Sequence, residues 1–394
     1  MLISRVGPRL AAFLYAIGRM RRLRRVLPKF LEAWVNRAMP MADYSRRRKD
    51  LAAAGGDVEL ESNYTAKVPW RLGVIAHPEN IHTNYVEACK ELAVSYQVLD
   101  IFRSDWIDQV TKSNCDAFLT WSCETPVIWK RLYDDRLRFL VRDLGKMVYP
   151  PYDAIWLYGS KQRGTEWLRI HGFPCPATWV FYNEDEAVDF VKNASYPKVA
   201  KLDSGSASSG VWVVRNPAAA RVIIRRAFGR GLKPKLSNGR DSQWGSILFQ
   251  EYIPDAIEWR VVRIGKSYFG HDKVRAGDFH SGTGRTNWRR PPEEALRLVK
   301  RIVDTGRFDC MDVDILQSQE GRFYVNELQT FFGTKDTTQM YIEGKPGRFL
   351  YVEERDFWEF EGGRFGINAC CNLRVESLLE MLAGQSTRAG AARI

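Results

Sequence analysis

The segment from Phe308 to Gly333 constrains the fold of this chain more than any other, because two runs of alternating apolar and polar residues flank a turn-like sequence. In the first run Asp312 and Asp314 alternate with apolar residues, so a β-strand would place both carboxylates on one face. The residues between the runs, Ser318-Gln319-Glu320-Gly321, have the composition of a hairpin turn. The pattern therefore predicts two antiparallel strands joined by a tight turn.

This predicted hairpin would present oxygen ligands. Pairing brings Asp314 beside Glu327 at a solvated cleft, and strand alternation puts Val325, Glu327 and Gln329 on one face with Asn326 on the other. Carboxylate and amide oxygens suit Mg²⁺, which keeps several waters and shares its shell with substrate phosphates. The hairpin is a candidate Mg-nucleotide site, although a solvated hairpin with ordinary surface acids would have the same composition.

A second feature lies upstream, where an apolar run ends in Lys201, small residues follow to Gly210, and a strand-like Val/Trp run resumes. The backbone N–H groups of such a loop can cover phosphates, and a lysine at its base supplies a fixed cation. A plain hairpin turn is the other interpretation. The segment lacks both the Gly-Lys-Ser/Thr triplet of a P-loop and the GxGxxG dinucleotide fingerprint.

A third element is the apolar strand Ser246–Pro254, which is followed by a charged strand beginning at Glu258. With it, six elements stand in the order typical of the ATP-grasp superfamily, which the chain resembles between residues 70 and 335. The matching elements are Lys161–Thr178, Lys201, Gln250–Ile253, Glu258–Arg260, Asp314 and Val325–Gln329. Each motif is short, and their common order makes the resemblance specific.

The resemblance implies an α/β (α+β) architecture, namely an ATP-grasp fold preceded by a pre-grasp domain of the Rossmann type. Strand and helix patterns that alternate from Arg71 to Trp121 agree with a small doubly wound sheet. The implied domains are a basic helical extension and linker (1–69), the pre-grasp domain (70–157), a nucleotide lid (158–255), a metal and substrate subdomain (256–384) and a disordered tail (385–394). Within the lid, the Gly- and Arg-rich stretch Arg225–Trp244 predicts a mobile loop.

The resemblance also implies which residues contact the nucleotide. Lys161 and Lys201 match two lysines that bind phosphates, Glu251–Ile253 match the hinge that recognises the adenine edge, and Glu258 matches the acid that accepts from the ribose. The complete implied set is Lys161, Lys201, Ser206, Ser208, Ser209, Gly210, Gln250, Glu251, Tyr252, Ile253, Glu258 and Arg260.

The same resemblance implies which residues bind the metal and which are catalytic. Asp314, Glu327 and Gln329 match the metal ligands, with glutamine where relatives usually have asparagine, so its carbonyl oxygen lies one methylene further out. Arg275 matches a strand arginine that faces the γ-phosphate or acyl phosphate, and Lys273 is an alternative on the same strand face.

The last implied catalytic residue is Arg289, in the basic stretch Gly282–Arg290. This stretch falls where relatives place acceptor-binding residues, and a solvated loop is the alternative interpretation.

The implied function is an ATP-dependent carboxylate–amine, or other carboxylate–nucleophile, ligase that works through an acyl phosphate. Its cofactors would be ATP and Mg²⁺ or Mn²⁺, and its partners a small-molecule or peptide carboxylate and a nucleophile co-substrate. Two alternatives remain open: an ATP-grasp kinase for a small molecule or sugar, and a non-catalytic, membrane-recruited nucleotide-binding adaptor, which Gln329 and the basic N-terminus favour.

Cysteine and histidine usage indicates a reducing, cytoplasmic environment. The seven cysteines are odd in number and form no CxxC pair, and the five histidines show no ligand spacing. Cys123, beside Glu124, has the neighbours of a nucleophile, but a buried small residue is the favoured interpretation.

The net charge of +12 is concentrated at the N-terminus, because residues 1–31 hold eight cations and no acid. Nucleic acid is therefore not favoured as a partner. The apolar block Leu10–Ile17 is too short to span a bilayer. The sequence predicts that residues 1–31 bind an anionic membrane surface or a protein partner, so the protein would be cytoplasmic or peripheral at a membrane.

Overall fold

The computed structural model describes residues 59–205, 209–234, 241–275, 277, 286–333 and 338–391. The chain divides into two units, and the larger comprises Glu59–His77, Ile81–Ser237 and Asp241–Ile394. Of the smaller unit only residues 78–80 are described, and they form a turn. The predictions for residues 1–31, and for Ser206 and Ser208, lie outside the described residues. No helix among those described is long and apolar enough to cross a membrane.

The first sheet is parallel, with the strand order β2-β1-β3-β4. Leu72, Val74 and Phe118 in its central strands are completely buried, as expected for a parallel sheet covered on both faces. The predicted doubly wound sheet is therefore confirmed. Its elements are β1 (Arg71–Ile75), α1 (Thr83–Glu91), β2 (Ser95–Leu99), α2 (Trp106–Lys112), β3 (Ala117–Leu119), α3 (Val127–Arg138) with a π-helical turn (Phe139–Asp143), β4 (Met147–Tyr149) and α4 (Tyr152–Leu157).

The second sheet lies in the segment predicted to be a nucleotide lid (158–255), and we call it the lid sheet for that reason. It is antiparallel, with the order β5-β8-β6-β7. Its elements are α5 (Lys161–Ile170), β5 (Thr178–Phe181), α6 (Glu184–Asn193), β6 (Lys198–Lys201), β7 (Val211–Val214), α7 (Pro217–Phe228) and β8 (Ile247–Glu251). Helices α6 and α7 cover one face and share a core with Ala200 and Phe249.

Helix α7 begins where Asn216 accepts a hydrogen bond from the Ala219 N–H and Pro217 occupies the first turn. It extends to Phe228, so the prediction of a mobile loop from Arg225 was wrong for its first residues. Arg225 and Arg226 belong to the helix because Ile224 and Ala227 are buried beneath it.

The large sheet has the order β13-β12-β9-β10-β15-β14, with β11 paired to β10 and β16 to β15. Its elements are β9 (Ile257–Ile264), β10 (Ser267–Lys273), β11 (Thr286–Asn287), α8 (Glu293–Gly306), β12 (Cys310–Gln317), β13 (Phe323–Gln329), β14 (Tyr341–Ile342), β15 (Lys345–Val352), a 3₁₀ turn (Glu353–Arg355), β16 (Phe357–Gly362) and α9 (Ile367–Ala391). The predicted hairpin is β12–β13. Its turn includes Gly321 at φ +79°, a conformation that favours glycine.

Two helices complete this part of the molecule. Helix α8 buries Leu296, Val299 and Val303, one stripe of its surface, and lies against β9 and β12. Helix α9 includes residues 385–391, where the sequence predicted a disordered tail. The structure therefore differs from the prediction in these residues, and backbone angles outside the helical range at Asn368, Ala369 and Cys370 mark a kink near the start of α9.

Candidate nucleotide and metal site

Strand register gathers charged side chains on one face of the large sheet. Asp314 in β12 lies opposite Glu327 in β13 and opposite Arg260 in β9, as the hairpin pattern predicted for the first pair. Glu258, two residues before Arg260, lies opposite Lys273 in β10. Directly opposed residues share a sheet face, so these five side chains project to the same side.

Asp314 is held by two cations. Lys273 Nζ lies 2.5 Å from Asp314 Oδ2 and also 2.5 Å from Glu258 Oε1, while Arg260 Nε donates to Asp314 Oδ1 at 3.2 Å. Asp314 is only 1% exposed, so the expectation of a solvated position was wrong for this residue. The reason is that β9 and β13 flank it on both sides.

Asp312 adds a second buried acid beneath Asp314. Arg260 Nε lies 3.0 Å from Asp312 Oδ2, yet neither Asp312 oxygen accepts a directed hydrogen bond, so the contact is electrostatic. Burial raises the pKa of Asp312. Burial also opposes ionisation of Asp314, but Arg260 and Lys273 hold its pKa well below the usual range. The negative charge of this pair is therefore concentrated on Asp314.

A β-bulge changes the face of Asn326. The register passes from Asp314 opposite Glu327 to Ile315 opposite Val325, which leaves Asn326 as an extra residue. Its Oδ1 accepts a hydrogen bond from Lys201 Nζ at 2.9 Å. The prediction that Asn326 faces away from the site was therefore wrong, because simple alternation does not hold across a bulge.

Lys161 connects three parts of the site. It begins helix α5, where the Ser160 hydroxyl caps the helix by accepting from the Arg163 N–H. Lys161 Nζ donates to the Gly205 carbonyl at 2.5 Å and lies 3.8 Å from Glu327 Oε1. The start of helix α5, the small-residue loop and the β12–β13 hairpin thus meet at one ammonium group.

Lys201 is the second predicted phosphate-binding lysine. It ends β6 and is buried against Asn326. Burial lowers the pKa of Lys201 to about 8, although Glu327 acts in the opposite direction. A lysine whose pKa lies this close to neutral pH becomes fully protonated when an anionic ligand binds beside it.

The remaining lid residues take several positions. Ser209 is buried, and Gly210 has φ +84° with Leu202 so close that a Cβ would lie 3.1 Å from its side chain. Gln250 Nε2 donates to Thr178 Oγ1 at 3.0 Å inside the lid, and Glu251 lies exposed at the strand end. The side chain of Gln250 is therefore a packing element, while the segment after β8 stays accessible.

Arg275 lies beyond the end of β10, so the prediction of a strand position was wrong. Its guanidinium donates to Asp255 Oδ1 at 2.7 Å and to the Tyr252 hydroxyl at 3.1 Å, next to Ile253 of the predicted hinge. It does not join the ion pairs of Asp314 in the described part of the chain. Lys273, the alternative, does.

Arg289 is also separated from the ion pairs. It contacts Asp272 Oδ2 at 2.5 Å and lies over the Trp259 ring at 5.3 Å. Asp272 and Trp259 oppose each other in the sheet and alternate with Lys273 and Glu258, so they project from the other face. Arg289 and Lys273 were both predicted to be catalytic, but the alternation places the partner of Arg289 on the opposite sheet face from Lys273.

Sequence reasoning missed a contact from the first sheet. Glu124 Oε1 accepts a hydrogen bond from the Gly205 N–H at 3.1 Å, which ties the segment after β3 to the small-residue loop. The position of Glu124 beyond the carboxyl end of a parallel strand was the available signal. Its neighbour Cys123 is buried, as expected, with Sγ 3.1 Å from His77 Nε2.

The donor set suits Mg²⁺ held jointly by protein and phosphates. Asp314 and Glu327 offer carboxylates from paired strands, and the Glu327 side chain is 28% exposed. Gln329 lies opposite Asp312 on the same strand pair. No group of three or more histidine, cysteine or acidic side chains in the described ranges is arranged to hold a metal. Two carboxylates completed by phosphate and water are the arrangement usual for Mg²⁺ in nucleotide enzymes.

Solved structures share this architecture. An N5-carboxyaminoimidazole ribonucleotide synthetase in complex with ADP has a TM-score of 0.52 at 16% identity, over 74% of this chain and 84% of that chain. The synthetase from Staphylococcus aureus with ADP has 0.51 at 13%, over 74% and 84%. A RimK domain ATP-grasp protein from Sphaerobacter thermophilus has 0.49 at 15%, over 78% and 99%. No protein-family model and no curated protein sequence matches the chain.

The chain has the ATP-grasp fold, and the fold that the motif order implied is therefore confirmed. Within this fold it is similar to synthetases solved with ADP, at identities that establish the architecture and leave the substrate open.

Proposed function

We propose that the protein is an ATP-dependent ligase that joins a carboxylate to an amine or another nucleophile through an acyl phosphate. The observation that carries the proposal is the single chain of contacts from Lys201 through the bulged hairpin to Lys161, Glu327 and Asp314. It combines two cations suited to phosphates with two carboxylates suited to a metal. The ADP in the similar synthetases agrees with a nucleotide at such a site.

The nucleotide would be bound by groups of this chain with separate tasks. Lys161 and Lys201 would hold the phosphates under the loop that ends at Gly210, and the backbone of Glu251–Ile253 would recognise the adenine edge. Glu258 would reach the ribose only if it partly released Lys273, to which it is now bound. Ser209 belongs to the loop, as do Ser206 and Ser208.

Asp314 and Glu327, with Gln329 as a further oxygen donor, would hold Mg²⁺ or Mn²⁺. The bound metal would neutralise charge on the phosphate oxygens. We propose Lys273, rather than Arg275 or Arg289, as the cation beside the transferring phosphoryl group, because it already contacts Asp314. Lys273 is buried, and although burial opposes its charge, Asp314 and Glu258 raise its pKa and keep it protonated.

Two steps would follow. An oxygen of the substrate carboxylate attacks the γ-phosphorus, and the bond to the bridging oxygen of ADP breaks. The nucleophile then attacks the carbonyl carbon of the acyl phosphate, loses its proton and expels inorganic phosphate. Positioned cations stabilise charge in both transition states, which is the largest contribution that a site of this kind makes.

Trapping with hydroxylamine tests the proposal. Candidate carboxylates incubated with the protein, ATP, Mg²⁺ and hydroxylamine should yield a hydroxamate and one ADP for each product. Lys201→Met should lose at least about 100-fold in product formation. The matched control is Lys198→Met, a buried lysine of the same strand that contacts Ser195 and the Trp179 ring instead, and it should remain active.

Other outcomes would exclude the ligase. A stable phosphorylated alcohol or sugar without any hydroxamate would identify a kinase. ATP binding with no substrate-dependent ADP release across the panel would identify an adaptor. Equal activity of Lys201→Met and Lys198→Met would remove this site from the reaction.

A further inference from the structure

The lid contains a second concentration of positive charge. Residues 204–240 hold eight cations and no acid, namely Arg215, Arg221, Arg225, Arg226, Arg230, Lys233, Lys235 and Arg240. Residues 1–31 hold eight more, and the net charge is +12, so the rest of the chain is slightly negative. The assignment of the basic character mainly to the N-terminus was therefore incomplete.

Helix α7 directs this charge outward. Ala220, Ile224 and Ala227 are buried in the lid core, whereas Val222, Arg225 and Arg226 are exposed, and Arg230 lies exposed just after the helix. No described carboxylate lies within ion-pair distance of these three arginines, although exposed arginines elsewhere have such partners.

An exposed tryptophan completes the surface. Trp244 is 68% exposed, and its indole N–H donates to the Gly229 carbonyl at 2.8 Å, which fixes the ring at the end of helix α7. Val222 is 42% exposed on the same helix. We call Val222, Arg225, Arg226, Arg230 and Trp244 the lid patch.

Nucleotide binding does not account for the lid patch. In strand β6, Ala200 packs in the core shared with α7, whereas Lys201 contacts Asn326 of the β12–β13 hairpin. Successive strand residues face opposite sides of a sheet. The lid patch is thus on the far side of the lid sheet from the proposed phosphate site.

We propose that the lid patch binds an anionic phospholipid surface. Guanidinium groups form paired hydrogen bonds with phosphate, and an exposed indole suits the interface between headgroups and acyl chains. A helix face with exposed arginine and valine, and an exposed tryptophan at its end, matches a membrane better than it matches single-stranded nucleic acid, which is bound mainly in positively charged grooves with stacked bases. With residues 1–31, predicted to bind the same surface, it would form a second attachment site, so that the two segments would bind the membrane more tightly together than either would alone.

Vesicle flotation of the full chain, without ATP, tests this proposal independently of the proposed reaction. The triple variant R225Q/R226Q/R230Q should bind equimolar phosphatidylglycerol–phosphatidylcholine vesicles about 10- to 100-fold more weakly, as expected for three cations near a charged surface. The matched control R131Q/R138Q/R142Q removes three exposed arginines from another region and should bind within about threefold of the parent protein. Binding should weaken as salt is raised, and Trp244→Ser should weaken it further.

The variant R21Q/R22Q/R24Q/R25Q neutralises four arginines of residues 1–31 and so separates their contribution from that of the lid patch. The vesicle binding that remains in this variant should depend on Arg225, Arg226 and Arg230. The proposal would be overturned if R225Q/R226Q/R230Q and the control R131Q/R138Q/R142Q bound vesicles equally well, both in the parent protein and in the N-terminal variant. An equal loss of binding in both triple variants would also overturn it, because that would indicate an effect of net charge alone. Binding to duplex DNA or polyglutamate, with none to anionic vesicles, would likewise contradict it.

Discussion

Arg260 is largely buried and Arg374 is completely buried, but different groups compensate the charges of the two arginines. Arg260 lies between Asp312 and Asp314, at 3.0 Å and 3.2 Å from their carboxylate oxygens. Arg374 is completely buried in helix α9, and its guanidinium lies 4.8 Å from the centre of the Trp121 ring. In the described part of the chain no carboxylate lies within ion-pair distance of Arg374.

Rings and neutral oxygens surround Arg374 instead. Its guanidinium donates to the Thr330 carbonyl at 3.0 Å and lies near the Tyr85 hydroxyl at 3.5 Å, with Phe332 at 5.0 Å and Phe331 at 5.7 Å. Cation–π contacts are strongest where water is absent. Arg374 therefore joins α9 to α1, to the segment after β3 and to the residue that follows Gln329.

The surroundings of Arg260 contain carboxylates that could also take up a metal ion, whereas the surroundings of Arg374 only stabilise the fold. Carboxylates that balance Arg260 and Lys273 can also bind an incoming metal ion, because the same oxygens serve both cations. The aromatic rings and the Thr330 carbonyl around Arg374 provide no carboxylate that a metal ion could bind. We therefore expect substitutions near Arg260 to change ATP turnover, and substitutions at Arg374 to change stability.

The largest effects are expected at the two carboxylates proposed to bind the metal, Asp314 and Glu327. Glu327→Gln and Asp314→Asn should each lower Mg²⁺-dependent ATP turnover at least about 100-fold. Asp314→Asn should also lower the free energy of unfolding by about 3 kcal/mol, because it leaves Lys273 and Arg260 without their shared carboxylate. Glu327→Gln, at a partly exposed side chain, should unfold like the parent protein. Steady-state kinetics and urea unfolding measure the two quantities.

Glu320→Gln, in the turn of the same hairpin, is the control and should change neither quantity. Full turnover in Glu327→Gln would exclude the carboxylate pair as a metal site. Unchanged stability in Asp314→Asn would contradict the account of the ion pairs.

The next largest effect is expected on stability, at the buried Arg374. Arg374→Ala should lower the free energy of unfolding by about 3 kcal/mol, because it opens a cavity among Trp121, Phe331 and Phe332. Arg374→Met fills that space without a charge and should remain within about 1 kcal/mol of the parent protein. Urea unfolding gives both values. If Arg374→Met retained its stability but lost ATP turnover, Arg374 would act on the site and the comparison with Arg260 would fail.

A smaller effect is expected in the pH dependence of ATP binding. Lys201 has a pKa of about 8 in the free protein because burial opposes its charge, and a bound phosphate would raise that pKa. Affinity should therefore be constant below about pH 8 and fall by up to tenfold per pH unit above it, with one proton taken up on binding. Calorimetry in buffers of different ionisation enthalpy measures both. The same fall in Lys201→Met would show that another group titrates.

The smallest effect is expected at Gln329. Gln329→Asn restores the ligand length usual in ATP-grasp relatives and should change turnover and the Mg²⁺ requirement by no more than about threefold. A loss comparable to that of Glu327→Gln would show that the longer side chain is required, and would set this site apart from that of its relatives.

Local patterns predicted the elements better than the contacts between them. The first sheet, the hairpin and the pairing of Asp314 with Glu327 were all evident, because alternation and turn composition act over short distances. Asn326 was placed on the wrong face because a bulge gives little sign in a single sequence. The position of Arg289 was missed for a related reason, since its partner Asp272 lies on the opposite sheet face from Lys273.

The sequence by itself determined the small parallel sheet, the hairpin and the set of charged residues available to the site. Only the tertiary structure decided which cation meets which acid. Arg260 and Lys273 reach Asp314 across separations of 54 and 41 residues, and Lys201 reaches Asn326 across 125. Such pairs depend on how separate sheets and strands come together. A single sequence shows that alternating residues share a face, but it does not show which distant face will lie against them. For the same reason, the contacts of Arg374 could not be predicted from the sequence.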